Sequence, residues 1–396
     1  MEPPGADTVL VRYGDMGTKS RHVRGKMADR LLDNVAAVLA DRGVEGEVET
    51  HPTRPRIRTE EGEATRAAQA AAEVFGVVST SPALSVPPER DAIIDALVRT
   101  ADARYDGGSF AVDARRAGTD YPFTSEDLGE AGGETVWETV ADDFEPAVDL
   151  DDPDLTFNVE VREDEAFVFL ETIDGPGGFP LGSQQPVVAL VSGGIDSPVA
   201  AYEIMRKGCP VVPVYVDLGD YGGPDHRARA VETVRTLAGY APNFEMPLRI
   251  APGGPVVESL ADDLGTGRML VFRRFTFAVA EEIAERTGAG GIVTGESIGQ
   301  KSSQTARNLR VTSAVTDRPV HRPLLTTDKN DIVERAREIG TFHDSTIPAG
   351  CNRFAPAQAE TNATPEAVAA IEPDDLYKRA ESVAADAEVV DPRGGQ

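Results

Sequence analysis

Residues 185–208 read QPVVALVSGGIDSPVAAYEIMRKG, and they restrict the possible folds more than any other stretch of the chain. The apolar, β-branched run 187–191 has the character of a strand buried on both faces of a parallel sheet, and from Pro198 onward Val199, Tyr202, Ile204 and Met205 fall at helical spacing. Ser192-Gly193-Gly194-Ile195-Asp196-Ser197 is therefore the turn between them. Its two glycines permit tight backbone geometry and close approach of a ligand, Ser197 is placed to cap, and Pro198 suits the first helical position. Amide N–H groups and the positive end of the helix dipole then converge on one point, which suits an anion. Arg206, Lys207 and Gly208 close the helix, and 210–218 (PVVPVYVDL) begins the next strand. The expected fold of this part is a doubly wound parallel α/β sheet.

No Gly-Lys-Ser/Thr ends the turn, as a Walker loop would require, and no Gly-x-Gly-x-x-Gly is present. A carboxylate stands there instead. Beside a phosphate Asp196 would be repelled unless a cation came between, so it is the expected Mg²⁺ ligand and a catalytic residue. Taken alone, the turn could also be a Ser/Gly turn with a solvated aspartate. It resembles the PP-loop ATP pyrophosphatases, whose signature is Ser-Gly-Gly-x-Asp-Ser. The resemblance implies cleavage of ATP between its α and β phosphates with adenylation of a substrate, and nucleotide contacts from Leu190, Val191, Ser192, Gly193, Gly194 and Ser197.

At 396 residues the chain should form more than one domain. It carries 67 Asp+Glu against 39 Lys+Arg, a formal net charge of -28, which would ordinarily argue against nucleic acid. Lysine, however, occurs only at 19, 26, 207, 301, 329 and 378, and the acids are dispersed over the whole length. That pattern is like a halophile's solvated surface and says little about the ligand. Two cysteines, Cys209 and Cys351, cannot make a disulfide framework and fit a reducing, cytoplasmic setting. With no signal peptide and no run of eighteen apolar residues, no membrane partner is expected.

Ahead of the parallel sheet, 8–13 is strand-like and 24–40 is a one-faced helix. The Gly-rich loop between them carries Lys19. The segment 46–58 alternates like an edge strand with Arg54, Arg56 and Arg58 on one side, a phosphate-facing candidate in so acidic a chain. Further helices are expected at 63–75, at 91–103 and up to Trp137, with strands at 77–81, 109–115, 149–160 and 166–171. Gly175-Pro176-Gly177-Gly178 opens a linker. No catalytic cluster is evident in this α+β half, so binding is its expected job.

Val11-Arg12-Tyr13-Gly14-Asp15, Thr53-Arg54-Pro55-Arg56, Asp113-Ala114-Arg115-Arg116 and Gly175-Pro176-Gly177-Gly178 together resemble the tRNA 4-thiouridine synthetases, or tRNA uracil 4-sulfurtransferases. The resemblance, which runs to about residue 355, implies a ferredoxin-like domain at 1–60, an RNA-binding THUMP domain at 61–174, a linker at 175–182 and a PP-loop domain at 183–363; by composition 364–396 is an acidic tail, helical near 374–387 and then disordered. The resemblance also implies tRNA contacts from Lys19, Arg54, Arg56, Arg115 and Arg116. Tyr215 and Val216, at the carboxyl end of the second strand, are expected to border the adenosine, as ligands do in doubly wound sheets; the resemblance implies further nucleotide contacts from Arg273, Gly295 and Gln304, and a catalytic cysteine at Cys351. Read from its surroundings, Cys351 lies in a Pro/Gly-flanked polar loop near Arg353, where a thiolate can be stabilised, whereas Cys209 abuts an apolar strand. Arg273 and Arg274 could equally be solvated surface residues, and Lys301 could neutralise phosphate charge.

The implied reaction transfers AMP to uracil O4, expected at position 8, releases pyrophosphate and then delivers sulfur from a persulfide or sulfide. No rhodanese domain and no Cys-x-x-Cys are found, so the donor could be a cysteine desulfurase, a carrier protein or free sulfide. A role in thiamine synthesis and a homodimer both stay open. An RNA-binding protein with a vestigial nucleotide site, or another PP-loop ligase, are the alternatives.

Overall fold

Thr8, Val9, Leu10 and Val11 are all buried, so the first strand, β1 (Thr8–Tyr13), has both faces covered. The computed structural model describes residues 1–14, 20–50, 55–118, 121–222, 224–343 and 354–394. Lys19, Arg54 and Cys351 lie outside the described residues. The chain divides into two units, Met1–Pro180 and Leu181–Gln396, and the division falls within the stretch 175–182.

In the first unit, α1 (Arg21–Asp41) buries Met27, Leu31, Val35, Val38 and Leu39, the spacing of one helix face. The expected single edge strand at 46–58 is instead a pair, β2 (Glu47–Glu49) and β3 (Arg56–Arg58), antiparallel with Val48 opposite Ile57. Two alternating strands of one hairpin have the same sequence pattern as one longer strand. The alanine-rich α2 (Ala64–Ala72) shares a core cluster with Val9, Val11, Leu31 and Ile57. Residues 61–72 thus belong with the first packed layer, and the break expected at 60/61 falls inside it.

The second layer is joined to the first through β4 (Val77–Val86), which continues through Pro82 beyond the expected end at residue 81. Its first part pairs with β1 and its last part with β8 (Ala166–Phe169). Around it lie α3 (Arg90–Arg104), β5 (Ser109–Arg116), α4 (Ser125–Val140), β6 (Ala147–Val148), β7 (Leu155–Val161) and β9 (Ile173–Asp174). Among the described residues the strands form one sheet ordered β2-β3-β1-β4-β8-β7-β5-β6, with β9 also on β4. Ile93, Ala96 and Leu97 of α3 and Leu128 and Val136 of α4 pack with Phe110 and Phe157 of the sheet.

The second unit is the expected parallel sheet. Its strands are β10 (Val187–Leu190), β11 (Val211–Asp217), β12 (Leu248–Pro252), β13 (Ile292–Val293), β14 (Val320–His321) and β15 (Glu388–Val390), ordered β14-β13-β10-β11-β12-β15. Only β15 runs antiparallel to its neighbour. Helices are α5 (Asp196–Met205), α6 (Pro224–Gly239), α7 (Gly254–Asp263), α8 (Arg268–Thr287), α9 (Ala306–Ser313), α10 (Lys329–Glu338), α11 (Pro365–Ala369) and α12 (Leu376–Ala385). The apolar side of α8 forms a cluster with Val188, Val214 and Ile292 of the sheet and with Val257 of α7. On the sheet's other side α5 packs between α6 and α10.

The acidic C-terminal stretch is ordered through residue 394, which corrects the expectation of disorder after the helix. Leu376, Ala380, Val383 and Ala384 are buried against α8, and Val389 and Val390 pair with Arg249 and Leu248 of β12. Arg274 holds this segment. It is 7 % exposed, contacts the Glu372 carboxylate, and donates to Tyr377 Oη at 2.9 Å and to Val311 O at 2.8 Å. Composition registered the exposed acids and missed one buried ion pair.

Candidate nucleotide site and arginine cleft

The turn 192–197 follows β10 as expected, but α5 begins at Asp196, two residues before Pro198, with Ile195 at the cap position. Ser197 therefore does not cap. Its hydroxyl accepts from Ser192 N at 2.8 Å and donates to Ser192 O at 3.3 Å, so the two serines close the loop side chain to backbone. Neither Gly193 nor Gly194 has positive φ. Gly193 is needed for space, because a Cβ there would sit 3.3 Å from Nδ1 of His226.

Gly295, two residues beyond the end of β13, shows the same need in sharper form. A Cβ there would lie 2.7 Å from the carbonyl carbon of Asp196 and 2.8 Å from Ser197 N. Only glycine lets the backbone after β13 touch the first turn of α5. This contact explains why two glycine-bearing segments a hundred residues apart meet at the carboxyl ends of adjacent strands, the usual ligand position of such sheets.

A cavity of about 460 Å³ opens there. Leu190, Val191, Ser192, Gly193, Gly194, Asp196 and Ser197 line one part, Tyr215 and Val216 the end of β11, and Arg273, Gly295 and Gln304 the rest. The structure thus brings together every expected nucleotide residue. Lys301 also lines it, and Gln304 Oε1 is buried without a hydrogen-bond partner among the described residues. The size suits a mononucleotide. Arg273 and Arg274, alike in sequence, differ in place: the first faces the cavity, the second anchors the C-terminal segment.

Asp196 is partly exposed, but its carboxylate is paired. Lys329 Nζ, at the first position of α10, lies 2.6 Å from Oδ1, and Gln300 Nε2 is 3.1 Å from both oxygens. A lysine at a helix N-terminus is repelled by the dipole, and Asp196 offsets that. The sequence reading missed Lys329, Gln300, His226 and Glu296 as members of the site. Phe354 is buried with its ring edge-on to Tyr221 and Phe272 and beneath Arg268, and Ala355, Pro356, Ala357 and Ala359 after it line the cavity. Cys209 lies apart from this wall, and burial pushes its thiol pKa up, away from the thiolate.

In the first unit a cleft of about 500 Å³ is lined by Arg12, Arg115, Arg116 and Arg162 with Asp113, Asn158, Glu160 and Phe169. Arg115 is 79 % exposed and pairs with Asp113 at 2.8 Å, while Arg116 donates to Phe123 O. Arg56 is placed elsewhere. Its guanidinium contacts Glu49 and Glu165, and Arg58 shares Glu165 and donates to Thr8 Oγ1 at 2.7 Å. Burial would raise the Glu49 carboxyl pKa, but the two arginines outweigh it and hold it below the usual range. To face a phosphate, Arg56 would have to leave two carboxylates.

A parallel sheet with this turn at its first strand and this cavity at its carboxyl edge defines a nucleotide-binding protein of the PP-loop class. The family profile described as thiamine biosynthesis protein (ThiI) matches residues 182–375, the ThiI ferredoxin-like domain matches 8–81, and the THUMP domain matches 89–171. Two proteins called probable tRNA sulfurtransferase are similar to it. That of Halobacterium salinarum is 61% identical over 386 residues, 98% of each chain, and that of Methanosarcina acetivorans 38% over 372 residues, 90% of this chain and 87% of the relative. The chain belongs to the ThiI family of tRNA sulfurtransferases. A crystal structure of a 4-thiouridine synthetase–RNA complex with bound ATP covers 97% of this chain and 100% of its own, with a TM-score of 0.84 at 28% identity.

Proposed function

We propose that the chain is an ATP-dependent tRNA sulfurtransferase that converts a uridine of tRNA, expected at position 8, to 4-thiouridine. The observation that carries this reading is the gathering of the loop, Tyr215, Arg273, Gly295 and Gln304 around one cavity of nucleotide size. Uracil O4 is a poor leaving group. Attack of O4 on the α phosphorus expels pyrophosphate and leaves an adenylated oxygen, and attack of sulfide at C4 then expels AMP. A persulfide would reach the same product once a second thiol cleaved the resulting disulfide.

The loop amides and the N-terminus of α5 favour the phosphates, and Arg273 and Lys301 add positive charge at the cavity wall. Asp196 fits as a ligand of Mg²⁺, a hard ion that needs only one or two carboxylates beside phosphate oxygens and water. Among the described residues no group of three or more His, Cys, Asp or Glu is placed to hold a metal, so the ion would enter with the triphosphate. When bound it would neutralise charge on the phosphates. Lys329 and Gln300 hold the Asp196 carboxylate in place at the start of α5.

Cys351 is proposed as the residue that handles sulfur. Phe354, three residues on in sequence, packs in the core against the cavity-lining Phe272, and Ala355 after it lines the cavity, which supports that role. Arg115 and Arg116 in the first unit's cleft are proposed to contact tRNA, with Lys19 and Arg54 and, if it leaves its carboxylates, Arg56. A cysteine desulfurase, a carrier protein or free sulfide is the proposed sulfur source. The cytoplasm is where the tRNA is met, and no helix among the described residues is long and apolar enough to cross a membrane.

The test incubates purified protein with unmodified tRNA, Mg-ATP and sulfide at high salt. Thiolated tRNA with AMP and pyrophosphate in equal amounts is expected. Pyrophosphate release without tRNA would favour a small-molecule ligase, and no release with tRNA would favour a binding protein with an idle nucleotide site.

A further inference from the structure

Glu296 follows the glycine that touches the loop, lines the cavity, and has a side chain only 6 % exposed. A carboxylate so buried persists only with compensating charge. Two arginines flank it, and they are not equivalent. Arg322 Nε donates to Oε2 at 2.9 Å, while Arg273 Nε stands 3.6 Å from Oε1, an oxygen that is buried and has no hydrogen-bond partner among the described residues. Arg322 is locked from behind: its Nη2 donates to Ser313 Oγ at 2.9 Å, and its guanidinium lies 5.8 Å from the ring centre of Phe277. It does not line the cavity, whereas Arg273 does, its Nη1 reaching Ser303 O at 3.4 Å.

We propose that Glu296 is a positioning residue for the nucleotide, transmitting the fixed placement of Arg322 to Arg273 so that the Arg273 guanidinium plane is set before the ligand arrives. The inference rests on the nucleotide reading of the cavity. The Glu296 carboxylate attracts the Nε edge of Arg273 electrostatically across 3.6 Å, and Ser303 O accepts from Nη1 at 3.4 Å; together they bias the plane in which the guanidinium fork can meet an anion. Without the carboxylate two guanidiniums would lie together in a low-dielectric wall, and their repulsion would displace the one that lines the cavity, Arg273. The lost repulsion between Glu296 and phosphate is the smaller effect, because two arginines already neutralise that carboxylate.

The test measures ATP affinity and steady-state thiolation for the full chain and for Glu296→Gln, Arg322→Met and the double variant, with Ser313→Ala as a mild substitution on the far side of Arg322. Glu296→Gln is expected to weaken ATP about tenfold, raising KM for ATP while kcat at saturating ATP falls far less. Arg322→Met should weaken ATP comparably although it is outside the cavity, the double variant no further than the worse single, and Ser313→Ala about twofold in the same direction. Affinity for tRNA should not change. Unchanged or tighter ATP binding in folded Glu296→Gln, or an unchanged KM in both Arg322→Met and Ser313→Ala, overturns the relay while leaving the nucleotide site standing. Failure of the unaltered chain to bind ATP removes the nucleotide site and the relay with it.

Discussion

Replacing Gly295 by alanine adds one methyl group at the point where the backbone after β13 meets α5. That carbon would sit 2.7 Å from the Asp196 carbonyl carbon and 2.8 Å from Ser197 N, where ordinary contact begins at 3.4 Å. Both opposing atoms are backbone, so no side chain can swing away, and the two segments must separate by about 0.7 Å. Overpacking of this kind costs about 1–3 kcal/mol of stability. The effect on turnover should be larger, because the separation moves Asp196 relative to Gln304 and Arg273 across the cavity, and misplacement near 1 Å can cost about 100-fold in rate. The assay is single-turnover thiolation at saturating ATP, run beside a thermal melt. A folded Gly295→Ala protein with native ATP affinity and native rate would show that the contact has no part in forming the site.

Other substitutions separate the parts of the account. Lys329→Met should leave ATP binding measurable but slow turnover at least about tenfold, since Asp196 loses its 2.6 Å partner, and Asp196→Asn should abolish adenylation while tRNA still binds; full activity in either removes the assigned role. Cys351→Ser should release pyrophosphate yet insert no sulfur from a persulfide donor, whereas Cys209→Ser should be within about twofold of the unaltered protein, read as 4-thiouridine per AMP. Arg115→Ala with Arg116→Ala should weaken tRNA and lower the salt slope of log K by about 1 for each phosphate that these side chains neutralise, with ATP affinity unmoved. His321, whose pKa burial lowers, contributes stability that is present above its unfolded value and is lost as pH falls through the folded one; His321→Gln should flatten that acid-side loss in a melt series, and an unchanged acid limb would refute it.

The sequence disclosed those parts of the site that depend on neighbours along the chain. An apolar run, a Ser-Gly-Gly-Ile-Asp-Ser turn and a helical period lie within 24 residues, and local sterics fix them almost alone. Partners supplied by folding were not legible. Lys329 meets Asp196 across 133 residues, and Arg56 finds Glu165 across 109, so Arg56 and Arg58, which alternation places on one open side, are neutralised by carboxylates. Glu296 between Arg273 and Arg322 is hidden for the same reason, and so is the strand added by Glu388–Val390 within an acidic stretch. Ser197 illustrates the limit within the motif itself: its identity suggests a cap, but the helix starts earlier and its hydroxyl closes the loop.

Oxygen tracking reaches the central claim most directly. A tRNA carrying ¹⁸O at C4 of the target uridine is thiolated with Mg-ATP and sulfide, and the nucleotide product is weighed. If O4 is adenylated in the cavity beside Asp196, AMP leaves with the label; label-free AMP, or ADP in its place, contradicts the account.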